Sequence, residues 1–194
     1  MQFHYEKDKI IIVDFGSQLT KLIARRVREL GVYSEILIPK DLIKIKDYRN
    51  IKGFIFSGGP STVTKKKFQS IPQSLLNKNI PILGICYGLQ LIAKILGGKI
   101  KPSNKKREFG RAYLFHKRSS LLTKKFIKSK TSVWMSHEDA VIKLPKKFKI
   151  VASTKESSLT IIENSRDKIY GVQFHPEVSH TDNGKQIFKN FLFL

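Results

Sequence analysis

The single cysteine of the chain lies in the peptide Gly84-Ile85-Cys86-Tyr87-Gly88, a setting typical of a catalytic nucleophile. An apolar run precedes Cys86 and a helical pattern follows over residues 89–96, which predicts a turn from a strand into a helix. Glycines on both sides permit the sharp, strained turn that lifts a nucleophile above a sheet edge. Backbone N–H groups at the start of the helix also favour a thiolate. The pattern therefore predicts a nucleophile elbow.

A second segment near the C-terminal end offers a base and a carboxylate. His175, Pro176 and Glu177 directly follow a predicted strand over residues 169–174. A histidine there can take the proton of a thiol, and a carboxylate two residues further on can hold the imidazole in one tautomer. Taken alone, a histidine is more often an ordinary core or surface residue, and such a carboxylate is often a solvated loop charge. Together with the elbow, the two residues indicate a Cys-His-Glu hydrolase.

Alternating strands and helices are expected to position these groups. Strands are predicted over Lys9–Val13 and over residues 34–38, 53–56 and 80–85, with helices over residues 19–30 (closed by Gly31), 68–77 and 89–96. Because apolar strands alternate with helices, the sheet is predicted to be parallel, with binding groups at the carboxyl ends of its strands. Residues 14–18, residues 57–60 and Cys86 all occupy such ends.

From about Gly98 onwards the pattern of apolar residues changes. Short apolar runs predict mixed or antiparallel strands over residues 111–115, 131–135, 149–153, 159–163 and 169–174, followed by a helix over residues 184–193. There is no internal repeat and no long linker. One domain covering residues 1–194 is expected.

Composition narrows the classes of protein further. No apolar run of the 194 residues approaches the roughly 20 needed to span a bilayer, and the N-terminus is polar. A single cysteine excludes an internal disulfide framework and agrees with a reducing compartment, so a cytoplasmic protein without membrane contact is expected. No cysteine, histidine or carboxylate spacing suits a metal, and Gly58-Gly59-Pro60 lacks the Lys-Ser/Thr of a phosphate loop.

The formal net charge of +22 raises the question of nucleic acid. The lysines are scattered, however, and belong to no helix-turn-helix, zinc-finger, RRM or KH pattern. The chain is rich in Ile, Phe, Asn and Lys together, which indicates compositional drift towards A·T-rich codons. The alternative explanation is a polyanion or an acidic partner protein.

The motifs together resemble those of the class I (triad-type) glutamine amidotransferases. The family's hallmarks, Gly-x-Cys-x-Gly-x-Gln and a late His-Pro-Glu, stand at residues 84–90 and 175–177, with the Gly58-Gly59-Pro60 loop before the elbow. The resemblance covers essentially the whole chain. It implies a flavodoxin-like α/β fold: a mixed, mostly parallel central sheet flanked by helices, with the elbow at a strand end.

The resemblance also implies a role for each matching residue. Cys86 would attack the side-chain amide of glutamine, His175 would transfer protons, and Glu177 would orient His175. The oxyanion hole would be the backbone N–H groups of Gly59 and Tyr87. Residues implied in glutamine binding are Gly58, Gln90, Ser136, His137 and Asp139. The chain departs from the family at Glu138, where a glycine is common, and this predicts an altered pocket.

Within the family, the resemblance is strongest to the amidotransferase component that serves GMP synthesis. It rests on residues 14–18, 107–112, 133–137 and 175–181, and on Gly88-Leu89-Gln90 in place of a Gly-His-Gln. This branch implies an ATP-pyrophosphatase partner, subunit or domain, that converts XMP to GMP. ATP and Mg would bind to that partner, and this chain would carry no cofactor. The chain would be a separate subunit or an excised domain, with Lys105-Lys106-Arg107 on the docking face.

Two other functions remain open from the sequence. The first is an amidotransferase that serves another acceptor, such as chorismate. The second is an inactive regulatory or nucleic-acid-binding protein on the same fold, against which the complete Cys-His-Glu set argues.

Overall fold

The computed structural model describes residues 8–102 and 108–194 and is built around an eight-stranded sheet. The strands are β1 Lys9–Val13, β2 Ser34–Leu37, β3 Ile51–Phe56, β4 Ile82–Ile85, β5 Lys99–Pro102, β6 Glu108–Tyr113, β7 Phe115–His116, β8 Ser132–His137, β9 Asp139–Lys143, β10 Lys149–Ser153, β11 Ile161–Asn164 and β12 Ile169–Val172. The helices are α1 Thr20–Arg28, α2 Tyr87–Ile95 and α3 Lys185–Leu192, with 3₁₀ turns at Pro39–Lys44 and Gln73–Asn77.

The central sheet has the strand order β2-β1-β3-β4-β12-β11-β10-β7. Its pairings from β2 to β12 are parallel, and its pairings from β12 to β7 are antiparallel. The predicted mixed, mostly parallel sheet is confirmed. Because β1, β3, β4 and β12 run in the same direction, their carboxyl ends lie side by side.

Two apolar layers cover the sheet. Ile10 and Ile12 of β1 belong to the layer that includes α1 and α3, whereas Ile11 and Val13 belong to the layer that includes α2. This division follows from the strand itself, since successive side chains point to opposite faces. Unbroken apolar strands are therefore needed at the centre, where both faces are covered.

Two small antiparallel sheets stand beside the central one. β5 pairs with β9, and β6 pairs with β8 in a register that places Glu108 opposite His137. Among the described residues, no helix is long and apolar enough to cross a membrane.

Several elements differ from the sequence prediction. The helix expected over residues 68–77 is wrong: only Gln73–Asn77 is helical, as a 3₁₀ turn after Pro72. The proline disfavours helical geometry at the residue before it and so blocks a longer helix. α1 ends at Arg28 with Glu29 as its C-cap, and Gly31 follows with φ +80°. The predicted docking residues Lys105-Lys106-Arg107 lie outside the described part of the chain.

Candidate active site

Cys86 lies between the end of β4 and the start of α2, at the carboxyl edge of the sheet. Its backbone has φ 51° and ψ −105°, a conformation that L-residues rarely adopt. The Cys86 N–H donates to Val172 O (2.8 Å), and Cys86 O accepts the N–H of Gln90 (3.1 Å). The strained residue is therefore held by β12 on one side and by the first turn of α2 on the other. This is the predicted nucleophile elbow.

Glycine is required at positions 84 and 88 because a side chain there would clash with its neighbours, and not because the backbone has a positive φ. A Cβ at Gly84 would lie 2.6 Å from Leu89 N, and a Cβ at Gly88 would lie 2.5 Å from Phe56 O. Both contacts involve backbone atoms, which cannot rotate away. The helix can approach the strands closely only because these two side chains are absent.

Replacing Gly84 with alanine is expected to lower the free energy of unfolding by about 3 kcal/mol, because the methyl group overlaps the backbone of α2. Gly97→Ala is the matched control: Gly97 has φ +85° and no atom within 4 Å of an added Cβ, so only the backbone conformation is strained, at about 1 kcal/mol. Urea unfolding measures both. Equal losses would show that close packing at the elbow is not what requires glycine.

His175 and Glu177 lie beyond the end of β12, next to the elbow. The Nδ1 of His175 donates to Glu177 Oε1 (2.7 Å), and interaction with the neighbouring Cys86 contributes to the raised pKa of His175. Glu177 is fully buried, and its Oε2 has no hydrogen-bond partner among the described residues. The structure therefore brings together the three residues that the sequence analysis selected: His175 is hydrogen-bonded to Glu177, and Cys86 lies beside His175.

The environment of His175 favours its protonated form. Burial acts to lower the pKa of His175, but the hydrogen bonds to Cys86 and Glu177 and the charges of both raise it to about 10. The imidazolium is stabilised by the buried carboxylate, which has no competing hydrogen bond at Oε2 from the described residues. A thiolate beside an imidazolium is the reactive form of a cysteine nucleophile.

β8 and the loop after β12 hold His175 in place through its main chain. The His175 N–H donates to Trp134 O (3.0 Å). Thr181 Oγ1 donates to His175 O (2.7 Å) and accepts the Trp134 N–H (3.0 Å). From the other side, Arg26 Nε of α1 donates to Glu177 O (3.0 Å). The loop that carries His175 and Glu177 is thus fixed between α1 and β8.

Thr181→Val is expected to lower the free energy of unfolding by about 2 kcal/mol and to reduce turnover, since it leaves His175 O and the Trp134 N–H without their partner. Thr181→Ser keeps the hydroxyl and loses only a buried methyl group, about 1 kcal/mol. Thermal unfolding and glutamate release would be compared in both variants. A serine variant as impaired as the valine variant would contradict the role of the hydroxyl.

Gly58, expected to bind glutamine, lies against the triad, whereas Gly59, expected in the oxyanion hole, packs against Phe15. A Cβ on Gly58 would be 3.1 Å from His175 Cε1 and 3.8 Å from Cys86 Cβ, and one on Gly59 would be 2.7 Å from Phe15 O. Tyr87 is the first residue of α2, so its N–H has no acceptor within the helix. Its side chain is structural: the hydroxyl donates to Gln69 O (2.5 Å), and burial raises the pKa of Tyr87 to about 12.

The expected glutamine-binding residues form one wall of the site. Ser136 O lies 3.6 Å from Cys86 Sγ. Gln90 is buried and its Nε2 donates to Asp139 O (2.8 Å), so its amide nitrogen is bound to the main chain. His137 Nδ1 contacts the same Asp139 carbonyl (3.0 Å), and the Asp139 carboxylate accepts the hydroxyl of Thr62.

Glu138 occupies the bend between β8 and β9. The non-glycine residues with positive φ in the described part of the chain are Asn79, Cys86, Lys125, Lys147, Lys168 and Asn183. Glu138 is not among them, so the bend accepts a side chain without left-handed strain.

Sequence reasoning missed Gln173. This buried side chain donates from Nε2 to Cys86 Sγ (3.7 Å), and its Oε1 lies 3.5 Å from Gln90 Nε2. The available signal was its spacing: in extended chain, residues two apart share a face, and Gln173 stands two before His175. Gln173 therefore joins the nucleophile to the wall of the site.

Comparisons with known proteins agree with this geometry. The family model described as glutamine amidotransferase class-I matches residues 11–194. A relative from Petrotoga mobilis, named GMP synthase (glutamine-hydrolysing), is 47% identical over 95% of this chain and 36% of its own length. One of the same name from Staphylococcus epidermidis is 43% identical over 99% of this chain and 37% of its own length. The chain thus spans little more than a third of these curated relatives.

A solved structure of similar length also matches. A candidate component of GMP synthase from Thermoplasma acidophilum superposes with a TM-score of 0.82 at 32% identity, covering 96% of this chain and 93% of that one. A glutamine amidotransferase from Thermotoga maritima, at 22% identity and a TM-score of 0.73, covers 89% of this chain and 77% of its own and supports the fold. With a family match over residues 11–194, and with the elbow cysteine beside a histidine that is hydrogen-bonded to a carboxylate, the chain belongs to the class I glutamine amidotransferase family.

Proposed function

We propose that this chain hydrolyses glutamine to glutamate and ammonia through Cys86, His175 and Glu177. The observation that carries the proposal is that Cys86, at a strained strand-to-helix turn, lies beside a buried histidine that is hydrogen-bonded to a buried carboxylate. A non-catalytic binding protein has no need of a strained cysteine paired with a buried histidine and carboxylate. A nucleophile that must stay a free thiol also agrees with the proposed cytoplasmic location.

The proposed chemistry has two halves. In the first, Cys86 Sγ attacks the side-chain amide carbon of glutamine. His175 receives the thiol proton and passes it to the nitrogen that leaves as ammonia, so that a γ-glutamyl thioester forms. In the second, His175 takes a proton from water, which attacks the thioester carbon. The C–S bond breaks, the thiol regains its proton, and glutamate is released.

Glu177 and the backbone support both halves. The carboxylate of Glu177 holds Nδ1–H and stabilises the imidazolium, which leaves Nε2 facing the thiol. The N–H groups of Gly59 and Tyr87 are proposed to stabilise the negative charge that develops on the amide oxygen. Loss of one such donor typically lowers the rate by ~10²–10³.

We further propose that the ammonia is delivered to an ATP-pyrophosphatase partner that aminates XMP to GMP. The support is the name shared by the curated relatives, GMP synthase (glutamine-hydrolysing), at 47% and 43% identity over nearly all of this chain. Ammonia is mostly protonated in neutral water, and direct transfer between active sites would keep it nucleophilic. ATP and Mg are placed on the partner, and this chain is proposed to need no cofactor.

The test is glutamate release from glutamine by this chain, alone and with an ATP-pyrophosphatase partner, XMP and Mg-ATP. Glutaminase activity that rises only with the complete mixture supports both proposals. If that partner has no effect but a chorismate-dependent synthetase stimulates the activity, the proposed role in GMP synthesis is wrong and the proposed glutaminase activity stands. Absence of glutamate release in every mixture would contradict both.

A further inference from the structure

A buried acid–histidine pair lies at the rim of the small β6–β8 sheet, outside the triad. Glu108, the first residue of β6, stands opposite His137, the last residue of β8. Both side chains are buried, with 7% of Glu108 and 2% of His137 exposed. A buried carboxylate is costly unless hydrogen bonds satisfy it, so its presence calls for a reason.

Both oxygens of Glu108 have partners. The hydroxyl of Thr154 donates to Oε1 (2.7 Å), and Oε2 lies 3.3 Å from His137 Nε2. The other nitrogen of the ring, His137 Nδ1, lies 3.0 Å from the carbonyl oxygen of Asp139. The imidazole of His137 therefore bridges a carboxylate and a main-chain carbonyl.

Proton counting determines what Glu108 contributes. Asp139 O can only accept, so Nδ1 of His137 must carry a hydrogen. With Nδ1 protonated, the contact between Nε2 and the carboxyl of Glu108 also needs one proton, on either atom. The hydrogen bond between Glu108 and Nε2 of His137 thus allows Nδ1–H to donate to Asp139 O. In this arrangement no two acceptor atoms face each other.

The carbonyl that His137 binds belongs to the wall of the active site. Asp139 O also accepts Gln90 Nε2 (2.8 Å), so two donors from different elements fix it. Gln90 Nε2 lies 3.5 Å from Gln173 Oε1, and Gln173 Nε2 lies 3.7 Å from Cys86 Sγ. A continuous chain of polar contacts therefore links Glu108 to the nucleophile.

We propose that Glu108 is a positioning residue for glutamine: through His137 it fixes the turn of residues 136–139 against the elbow. The inference rests on the proposed glutaminase function. Ser136 O, at the start of this turn, is 3.6 Å from Cys86 Sγ, so displacement of the turn reshapes the space beside the reacting atom. Glu108 itself touches no reacting group and acts through His137 and the turn.

The variants that test this role follow from the hydrogen bonds of Glu108. In Glu108→Gln the amide oxygen can accept the Thr154 hydroxyl, and the amide nitrogen can donate to His137 Nε2, so the neutral network stays complete. In Glu108→Ala the Thr154 hydroxyl and His137 Nε2 each lose their bond to residue 108, and His137 keeps only its contact with Asp139 O. Thr154→Val removes one of the two bonds to Glu108, together with the bond that the hydroxyl accepts from Ser157 N–H (2.9 Å), and leaves the bond to His137 in place.

The test is the kcat and KM of each variant for glutamine. Glu108→Ala is expected to raise KM by about tenfold or more with a smaller change in kcat, as for a lost buried hydrogen bond that acts on binding. Glu108→Gln is expected to remain within about twofold of the unchanged chain. Glu163→Ala is the control, because Glu163 is also buried and bound by a hydroxyl, that of Ser120, but lies on β11. It is expected to lower stability without raising KM.

The single cysteine supplies a second readout, independent of turnover. Cys86 is the only thiol that iodoacetamide can alkylate, and bound glutamine is expected to slow the reaction. In Glu108→Ala the alkylation rate without glutamine is expected to stay within about twofold, and the glutamine concentration for half-protection to rise about tenfold. If Glu108→Ala does not fold, the kinetics and the alkylation are both measured on Thr154→Val instead.

An unchanged KM in Glu108→Ala, an equal rise in Glu163→Ala, or a Glu108→Gln variant as impaired as the alanine variant would each overturn the inference. Failure of the proposed function looks different: the unchanged chain releases no glutamate. Protection of Cys86 by glutamine would then still report on Glu108.

Discussion

Replacing Cys86 with alanine is expected to lower glutamate release by about 10⁴-fold or more, because the reaction loses the atom that attacks the amide. No second thiol can take over, since the sequence contains one cysteine. The rest of the site is left in place: the backbone donors of the elbow and the His175–Glu177 pair do not depend on the sulfur. Binding of glutamine, followed by calorimetry, is therefore expected to persist while turnover is lost.

The same position also tests strain at the elbow. Cys86→Ala keeps a side chain at φ 51° and ψ −105°, whereas Cys86→Gly removes the Cβ that makes this conformation unfavourable. We expect the glycine variant to exceed the alanine variant by about 1 kcal/mol in free energy of unfolding, even though glycine is more flexible in the unfolded chain. A glycine variant less stable than the alanine variant would show that the elbow is unstrained.

Replacing Glu177 with glutamine is expected to lower kcat by about 10²–10⁴-fold. The amide oxygen can still accept Nδ1–H of His175, so the ring keeps its orientation, but the negative charge that stabilises the imidazolium is gone. The amide nitrogen would take the place of Oε2, which has no partner among the described residues, and would be a buried donor without an acceptor. Glu163→Gln, remote from the triad, is the control for loss of a buried carboxylate.

The pH dependence of stability tests the charge of this pair separately from turnover. The pKa of His175 is raised to about 10 in the folded protein, against about 6.5 in an unfolded chain. A raised pKa means that the folded state binds the proton more tightly. Its stabilising contribution is complete below about pH 6.5 and is lost as the pH rises towards 10.

Glu177→Gln is therefore expected to show a smaller loss of stability across this pH window than the chain with Glu177. Urea unfolding at intervals from about pH 6.5 to 10 measures the difference, with Cys86 kept in both proteins because it contributes to the raised pKa of His175. Parallel curves for the two proteins would show that the carboxylate does not stabilise the imidazolium.

The sequence was sufficient to predict features that depend on only a few neighbouring residues. The elbow followed from two glycines around Cys86, and the strand-helix alternation followed from apolar runs such as Lys9–Val13. These patterns reflect steric and burial requirements that act within a few residues, and the structure confirms them. The expectation of a helix over residues 68–77 was wrong because apolar spacing was weighed above Pro72.

The pairing of strands that are far apart in the chain could not be predicted from the sequence. β5 and β9 are rich in charged or exposed residues and carry no apolar alternation strong enough to predict a strand. They are strands because each supplies the hydrogen-bonding partner of the other. Glu108 likewise looked like part of a motif, and nothing near it in sequence pointed to His137 or Thr154.

The sequence by itself indicated the family and selected Cys86, His175 and Glu177 as the candidate nucleophile and its assisting residues, because a thiol, an imidazole and a carboxylate in these settings have few other uses. Tertiary structure alone decided what supports them. The hydrogen bond of Gln173 to Cys86 joins residues 87 apart, and that of Thr154 to Glu108 joins residues 46 apart. Such contacts exist only once the strands have assembled, since a polar side chain acquires its partner from packing and not from its neighbours in the chain.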